Sequence, residues 1–343
     1  MSRILIYTDV HWSSYSSIVR KRGEKYSIRL EKLIDSVNFA EREAERLECQ
    51  YVVCLGDFFE SSTLNSEEIT ALSEIKWSSS KHFFIVGNHE ASNQDLSYNS
   101  LNALEKVGKI IREPYVETTS NNQRLVFLPY MVNTPNPIKN LLPPLEIRDN
   151  NSIIFSHNDI SGIQYGSSLS TKGFDIKDVE DNCKLFFNGH IHNCGIINSK
   201  IINVGNLCGQ NFKEDSFTYK HFISVLDTDT CQYEFFENPY ALNFYKIHIS
   251  NEQDLIQLRE CKDTNAVISI HCNDSMAEDI KKELININPI EYRLNINYNT
   301  KILEDNILQQ HLSLDYLEMF SDFVLKNLGE DDIIKEELEE IMK

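Results

Sequence analysis

One pattern constrains this chain more than any other: five short apolar runs, each leading abruptly into Asp, Asn or His. Residues 4–11 read ILIYTDVH and end on Asp9 and His11, while residues 51–58 read YVVCLGDF and carry Asp57. Residues 82–90, HFFIVGNHE, carry Asn88 and His89; residues 152–159, SIIFSHND, carry His157; residues 184–192, KLFFNGHIH, carry His190 and His192. Uninterrupted runs rich in Ile, Val and Phe mark strands buried on both faces. Between the first three runs, residues 27–48 have the mixed-charge pattern of a helix, and residues 66–77 open with a helix-capping signal. This strand–helix–strand alternation predicts an α/β fold whose parallel strands end at one edge of the sheet, where ligand sites form. The five ends are therefore expected to meet in space.

The residues that meet define a chemistry. They are two aspartates, one asparagine and five of the chain's ten histidines, without a cysteine or a nucleophilic serine in a G-x-S-x-G elbow. Imidazole and carboxylate ligands suit Mn²⁺, Fe²⁺ or Zn²⁺. The set is too large for one ion and about right for two. Gly56, Gly87 and Gly189 sit where the backbone must turn sharply beside the ions. A single histidine at a strand end is ordinarily structural, so the weight lies in the five occurring together.

Composition narrows the setting. The chain has 343 residues, 41% of them hydrophobic and 25% charged, which excludes wholesale disorder and fibrous folds. No window approaches a membrane span, and the N-terminus lacks the apolar stretch and cleavage site of a secretory signal, so a cytoplasmic location is the expectation. The eight cysteines form no C-x-x-C pair and read as reduced, half-buried residues. With 33 basic and 52 acidic residues the formal net charge is −19, which by itself argues against non-specific nucleic-acid binding. Basic residues do cluster at Arg20, Lys21, Arg22, Lys25 and Arg29, just after the first strand end. That cluster reads either as a phosphate-backbone contact beside the metals or as an ordinary exposed turn.

The motifs D-x-H, G-D, G-N-H-E, S-H and G-H-x-H, in this order, resemble the five signature motifs of the calcineurin-like metallophosphoesterases. The match covers about the first 210 residues. The resemblance implies a β-sandwich with flanking helices and two divalent metal ions, most readily Mn²⁺, at its edge. It implies that Asp9, His11, Asp57 and His192 hold one ion and that Asp57, Asn88, His157 and His190 hold the other, with Asp57 bridging. It also implies that His89 contacts the scissile phosphate and protonates the leaving oxygen. Glu90 has two readings, a carboxylate that orients a histidine or a merely solvated side chain.

Within that family, the second motif GDFFESS lacks the Asp and Arg of the protein serine/threonine phosphatases, and Asp9 stands where RNA-lariat debranching enzymes carry Cys. The chain continues some 150 residues past the last motif: residues 244–298 alternate strand and helix, and residues 301–343 have only a helical pattern. A nuclease domain (1–240), a small α/β capping domain along the DNA path (241–299) and a C-terminal helical segment (300–343) form a layout similar to the SbcD and "Mre-eleven" nuclease subunits, including phage-encoded ones. That resemblance implies an exonuclease and single-strand endonuclease acting on DNA with an SbcC-type coiled-coil ABC ATPase in recombination, repair and replication. It also implies a homodimer, in a bacterial cell or phage-infected host. Glu60 departs from this pattern, standing where many members have His. Residues 301–343 carry 12 acidic and 4 basic residues, a net −8, on what is either a solvated helical face or a partner-docking one. The other readings are a stand-alone phosphodiesterase acting on small or cyclic nucleotides, and a non-catalytic scaffold that keeps the fold.

Overall fold

The structure, a computed structural model, describes residues 2–92, 95–131, 151–165, 168–261 and 263–297. The expected C-terminal helical segment, 300–343, lies outside the described residues. In chain order, the main strands of the body are β1 (Arg3–Tyr7), β2 (Tyr51–Cys54), β3 (Lys81–Ile85), β4 (Gly108–Ile111), β5 (Tyr115–Thr118) and β6 (Arg124–Leu128). They continue with β7 (Ile153–Ser156), β8 (Leu185–Asn188), β9 (Gly195–Ile196), β10 (Ile201–Asn203), β11 (Phe222–Asp227) and β12 (Tyr233–Glu237). Two six-stranded sheets result, ordered β12-β11-β1-β2-β3-β4 and β9-β10-β8-β7-β6-β5. Strands β1 to β4 are mutually parallel, as are β6, β7, β8 and β10; β11, β12, β5 and β9 join antiparallel.

The apolar runs are continuous because each central strand is covered on both sides. In β1, Ile4 and Ile6 enter the core between the two sheets, where they join Val53, Phe83, Phe127, Phe155 and Phe187. Leu5 and Tyr7 point the other way, against helix α1 (Ile28–Arg46). A ladder of stacked rings crosses the inter-sheet core: Phe83 to Phe127 at 4.6 Å, Phe127 to Phe155 at 5.2 Å and Phe155 to Phe187 at 5.9 Å between centroids. The outer face of the second sheet, including Val126, Ile154 and Phe186, packs on α3 (Ile176–Asn182) through Val179.

Helix α1 begins where expected. Ser27 caps it by accepting from the Leu30 N–H, and Leu30, Leu33, Val37, Ala40 and Ala44 form its buried stripe. The next helix is shorter than residues 66–77 suggest. Helix α2 (Ser66–Ala71) starts with a capping box between Asn65 and Glu68, tightens to a 3₁₀ turn at Leu72–Glu74, and gives way to extended backbone at Ile75.

The strand–helix alternation alone points to one sheet edge and is corrected, whereas the β-sandwich that the resemblance implies is what the structure has. The five strand ends do not belong to a single sheet: β1, β2 and β3 supply three from one sheet, while β7 and β8 supply two from the other. The site lies where the edges of two face-packed sheets converge.

Residues 243–297 form a separate parallel sheet of β13 (Asn243–Ile249), β14 (Ala266–Asn273) and β15 (Glu291–Asn297). Helices α4 (Leu255–Glu260) and α5 (Ala277–Ile287), the latter through Ile280 and Leu284, close over Ile247, Ile249, Ile268 and Ile270 as an independent apolar core. Phe244 and Val267, on the opposite face, belong instead to the core of the body. The Phe244 carbonyl also accepts from the Ser216 N–H at 2.8 Å.

Candidate metal centre

The loops that follow β1 and β2 are zipped together by backbone. The N–H groups of Asp9, His11 and Trp12 donate to the carbonyls of Gly56, Asp57 and Phe58 at 3.0, 3.0 and 2.7 Å. Asp9, His11, Asp57 and His190 all adopt left-handed backbone, with φ of 50°, 49°, 49° and 70°. Such angles are unfavourable for non-glycine residues and concentrate at functional sites. Gly56, at φ +119°, is required twice over, because a Cβ there would also strike the His157 ring. At Gly87 a Cβ would run into the Asp57 carboxylate.

Glu90 braces these loops from beneath. It is fully buried and accepts backbone N–H bonds from Gly87 (2.7 Å), Phe59 (3.1 Å) and Asp57 (3.2 Å). That corrects both sequence readings of Glu90: it is not solvated, and its bonds go to backbone rather than to a histidine. Burial, and then the Asp57 charge, pushes its carboxyl up to about 8.

Side-chain donors gather in overlapping groups. Asp9, His11 and His192 each bring one ligand atom within 4.8 Å of the others, and so do Asp57, His157 and His190. A third group, His11, Asp57 and His89, joins the two. Asn88 Oδ1 lies 2.9 Å from His190 Nδ1 and 3.2 Å from His157 Nε2. Asp57 turns Oδ2 toward His157 Nε2 at 3.0 Å, while its Oδ1 accepts the His89 N–H at 3.0 Å.

The surroundings orient these donors for cations. His157 Nδ1 donates to the Leu55 carbonyl (2.9 Å), His11 Nδ1 to Glu60 (2.6 Å) and His192 Nδ1 to Glu214 (3.1 Å), which leaves each Nε2 lone pair directed inward. Asp9 Oδ2 is tied by the Thr8 hydroxyl and the His190 N–H, at 2.6 and 3.0 Å. Its Oδ1 is buried with no hydrogen-bond partner and faces His11 Nε2 at 3.7 Å and His192 Nε2 at 3.8 Å. An orphaned carboxylate oxygen opposite two imidazole nitrogens is a poor structural arrangement and a good ligand set. The residues fit divalent cations.

Without a cation, protons take that electrostatic place. Burial opposes charge on both rings, yet Asp9 and Glu60 hold His11 up to about 10, and Asp57 holds His157 up to about 9. Burial likewise opposes ionisation of Asp57, but His157 and His11 bring it down to about 2. Asp9 is held below the ordinary carboxylate range against its burial by His11, His157 and His192.

His89 stands apart from the buried donors. Its side chain is 37% exposed, its Nδ1 donates to the Glu60 carbonyl at 3.0 Å, and its ring meets that of His11 edge-on at 4.7 Å. The basic cluster behaves unevenly. Arg22 pairs with Glu67 at 2.7 Å and Lys25 with Glu74, while Arg29 is 5% exposed and donates to the His11 carbonyl at 3.2 Å. Arg29 is therefore an internal strut rather than a surface cation, and the exposed Arg20 and Lys21 remain open to a polyanion. Glu214 and Asp159 escaped sequence reasoning. Glu214 lies in an unpatterned loop 22 residues beyond His192, whereas Asp159 (Oδ1 3.4 Å from His190 Nε2) stood in plain view two residues after His157.

No helix among the described residues is long and apolar enough to cross a membrane. No curated protein matches the sequence. Among solved structures, the chain is similar to a dimetal phosphatase from Danio rerio (15% identity, TM-score 0.40, covering 65% of this chain and 91% of that one). It is also similar to TT1561 of Thermus thermophilus (12% identity, TM-score 0.40, covering 69% and 98%). A metallophosphoesterase from Sphaerobacter thermophilus matches at 13% identity and TM-score 0.32, covering 83% and 99%. The sequence profile of the calcineurin-like phosphoesterases matches residues 2–194, a span that takes in all five strand ends. The chain belongs to the calcineurin-like phosphoesterase family and is a metal-dependent phosphoester hydrolase.

Proposed function

We propose that this hydrolase is a DNA nuclease of the SbcD type, a phosphodiesterase whose metal ligands are Asp9, His11, Asp57, Asn88, His157, His190 and His192. Two divalent cations, for which Mn²⁺ suits the mixed imidazole and carboxylate donors, supply charge neutralisation and an acidified water for in-line displacement at phosphorus. The protein's own groups do the rest. Asp57, which lies in one donor group with His157 and His190 and in another with His11 and His89, would be shared between the two halves of the centre. Glu90 keeps the loops of Asp57 and Asn88 in register through their backbone. His89, its Nδ1–H anchored on the Glu60 carbonyl, presents Nε2–H to the departing oxygen as general acid.

The observation that carries the DNA reading is a meeting of cations in an acidic chain. Arg20 Nε and Arg293 Nη2 both donate to the Ser17 carbonyl, at 3.2 and 2.8 Å. Arg20 belongs to the loop that leaves the metal centre, and Arg293 to β15. From Arg293 the face of the three-stranded sheet that lies away from its helices runs, beyond Phe244 and Val267, in two rows, Lys246–Ser269–Arg293 and His248–His271–Asn295, without a carboxylate in either. A phosphate backbone leaving the metal centre would find no carboxylate in these two rows, the nearest on that face being Glu291 in the row Phe244–Val267–Glu291. Partnership with an SbcC-type ATPase is supported by the sequence layout alone, above all by the apolar positions Leu312, Leu317, Phe320, Val324 and Leu328, and a homodimer by the family resemblance alone.

The test is digestion of linear duplex and single-stranded DNA by the purified chain in Mn²⁺, with and without a co-expressed ATPase. The proposal expects metal-dependent cleavage of both, with the ATPase stimulating duplex digestion. Replacing Lys246 and Arg293 by Ala should weaken DNA binding and reduce its salt dependence by about one phosphate contact each. Cleavage of small nucleotides with intact DNA left untouched would overturn the reading.

A further inference from the structure

We infer that the two halves of the centre are unequal, the half built from Asp9, His11 and His192 being a tight cation site and the half built from Asn88, His157 and His190 a weak one that gates activity. This inference rests on the two-cation reading above. Its basis is what stands behind each ligand. Every imidazole gives one nitrogen to the centre and the other to a partner: two carboxylates within hydrogen-bond distance in the first half, a neutral carbonyl and a more distant carboxylate in the second.

In the first half both partners are carboxylates in good hydrogen-bond geometry. Glu60 Oε2 is 2.6 Å from His11 Nδ1, and Glu214 Oε1 is 3.1 Å from His192 Nδ1. Glu214 is 5% exposed in its side chain and is pinned through its other oxygen by the Gln210 N–H at 2.8 Å. In the second half, His157 leans on the neutral Leu55 carbonyl. His190 Nε2 reaches only a 31% exposed Asp159 at 3.4 Å, beyond the usual hydrogen-bond range. With Asp57 counted in both halves, the remaining ligands repeat the asymmetry, since Asp9 is anionic where Asn88 is a neutral amide.

A carboxylate that accepts the distal N–H of an imidazole makes the ring a stronger donor, and outer partners of this kind change metal affinity by roughly 10–100-fold. Glu60 is 43% exposed and its effect is partly screened, whereas that of buried Glu214 is not. Both act on the same half. At scarce cation the chain therefore holds one ion on Asp9, His11 and His192, and hydrolysis appears only as the weaker half fills. Free cation concentration thereby becomes a control on the nuclease.

The test is calorimetric titration of Mn²⁺ into the full chain after chelator stripping, with circular dichroism to confirm that each variant is folded. The wild type should show two classes of site at least about 10-fold apart. Glu60→Gln keeps the shape and removes the charge, so it should weaken the tight class by roughly 10-fold and leave the weak class unchanged. Glu214→Gln should weaken the same class. His157→Ala, or Asn88→Ala where that variant does not fold, should delete the weak class and spare the tight one. The inference is overturned if Glu60→Gln shifts the weak class or neither class, or if His157→Ala removes the tight class. A wild type that binds no more than one ion would overturn the two-cation reading beneath it.

Discussion

In the module of residues 243–297, strand residues obey their environment one by one. Tyr245, Ile247 and Ile249 face the module's helices, while Lys246 and His248 alternate with them toward solvent. At the strand ends of the body that agreement between sequence and surroundings breaks down. Asp9, His11, Asp57 and His157 are polar and between 0% and 2% exposed, and three of them hold left-handed backbone. The first region is organised for stability, whereas the second tolerates strain and buried charge that its sheets must hold in place. The contrast teaches where to look for function in an unfamiliar chain, at positions that local rules would reject.

The largest effect that would sharpen this contrast is at His89. If it delivers the leaving-group proton and binds no cation, His89→Ser should lower turnover of a chromogenic diester by roughly 10²–10⁴ while elemental analysis finds the cation content unchanged. Loss of cation in that variant would move His89 into the ligand set. The corresponding change in the stable region is Ile270→Ala. Its side chain is wholly buried in the module's core, so the truncation should cost about 2–5 kcal/mol in the module's unfolding, read by denaturant melts. Metal-dependent hydrolysis of a small diester should persist at temperatures where the variant is folded. If that activity vanishes as well, the two regions are one cooperative unit and the contrast fails.

A smaller effect separates the regions by pH. In the cation-free chain His157 is held up to about 9 and His11 up to about 10, both above the ~6.5 of a free imidazole. Their contribution to stability is therefore complete below pH about 6.5 and is lost as pH rises through 9 to 10. His271 in the module is shifted downward by desolvation and by neighbouring His248 and Lys246, so it disfavours the folded state only on the acid side. Thermal melts of chelator-treated protein should fall between pH 6.5 and 10, and saturating Mn²⁺ should flatten the fall. A cation-free melting temperature that rises across this window would contradict the assigned proton positions.

Much of this was legible in the sequence because the relevant signals are local. Runs such as HFFIVG announce double-sided burial, Ser27 and the capping signal at Ser66 announce helix starts, and the order of the five polar endings carries the family. What was not legible depends on packing between distant segments. The division of the strand ends between two sheets lies in which strands pair, and Phe83, Phe127 and Phe155 join the two sheets face to face. The burial of Arg29 follows from the α1 face turning toward the loop of His11, although its charge in the sequence promised a surface role. Glu214 and Glu60 reach histidines 22 and 49 residues away, and no short-range pattern encodes either contact.

On the two-cation reading proposed above, Asp57 holds both ions together. Equilibrium dialysis against Mn²⁺, followed by elemental analysis of the wild type and of Asp57→Asn and paired with hydrolysis of a chromogenic phosphodiester, tests it most directly. The wild-type chain should carry two ions and the variant at most one, with residual hydrolysis no greater than a few per cent. An Asp57→Asn protein that keeps both ions, or that hydrolyses the diester well above that level, would contradict it.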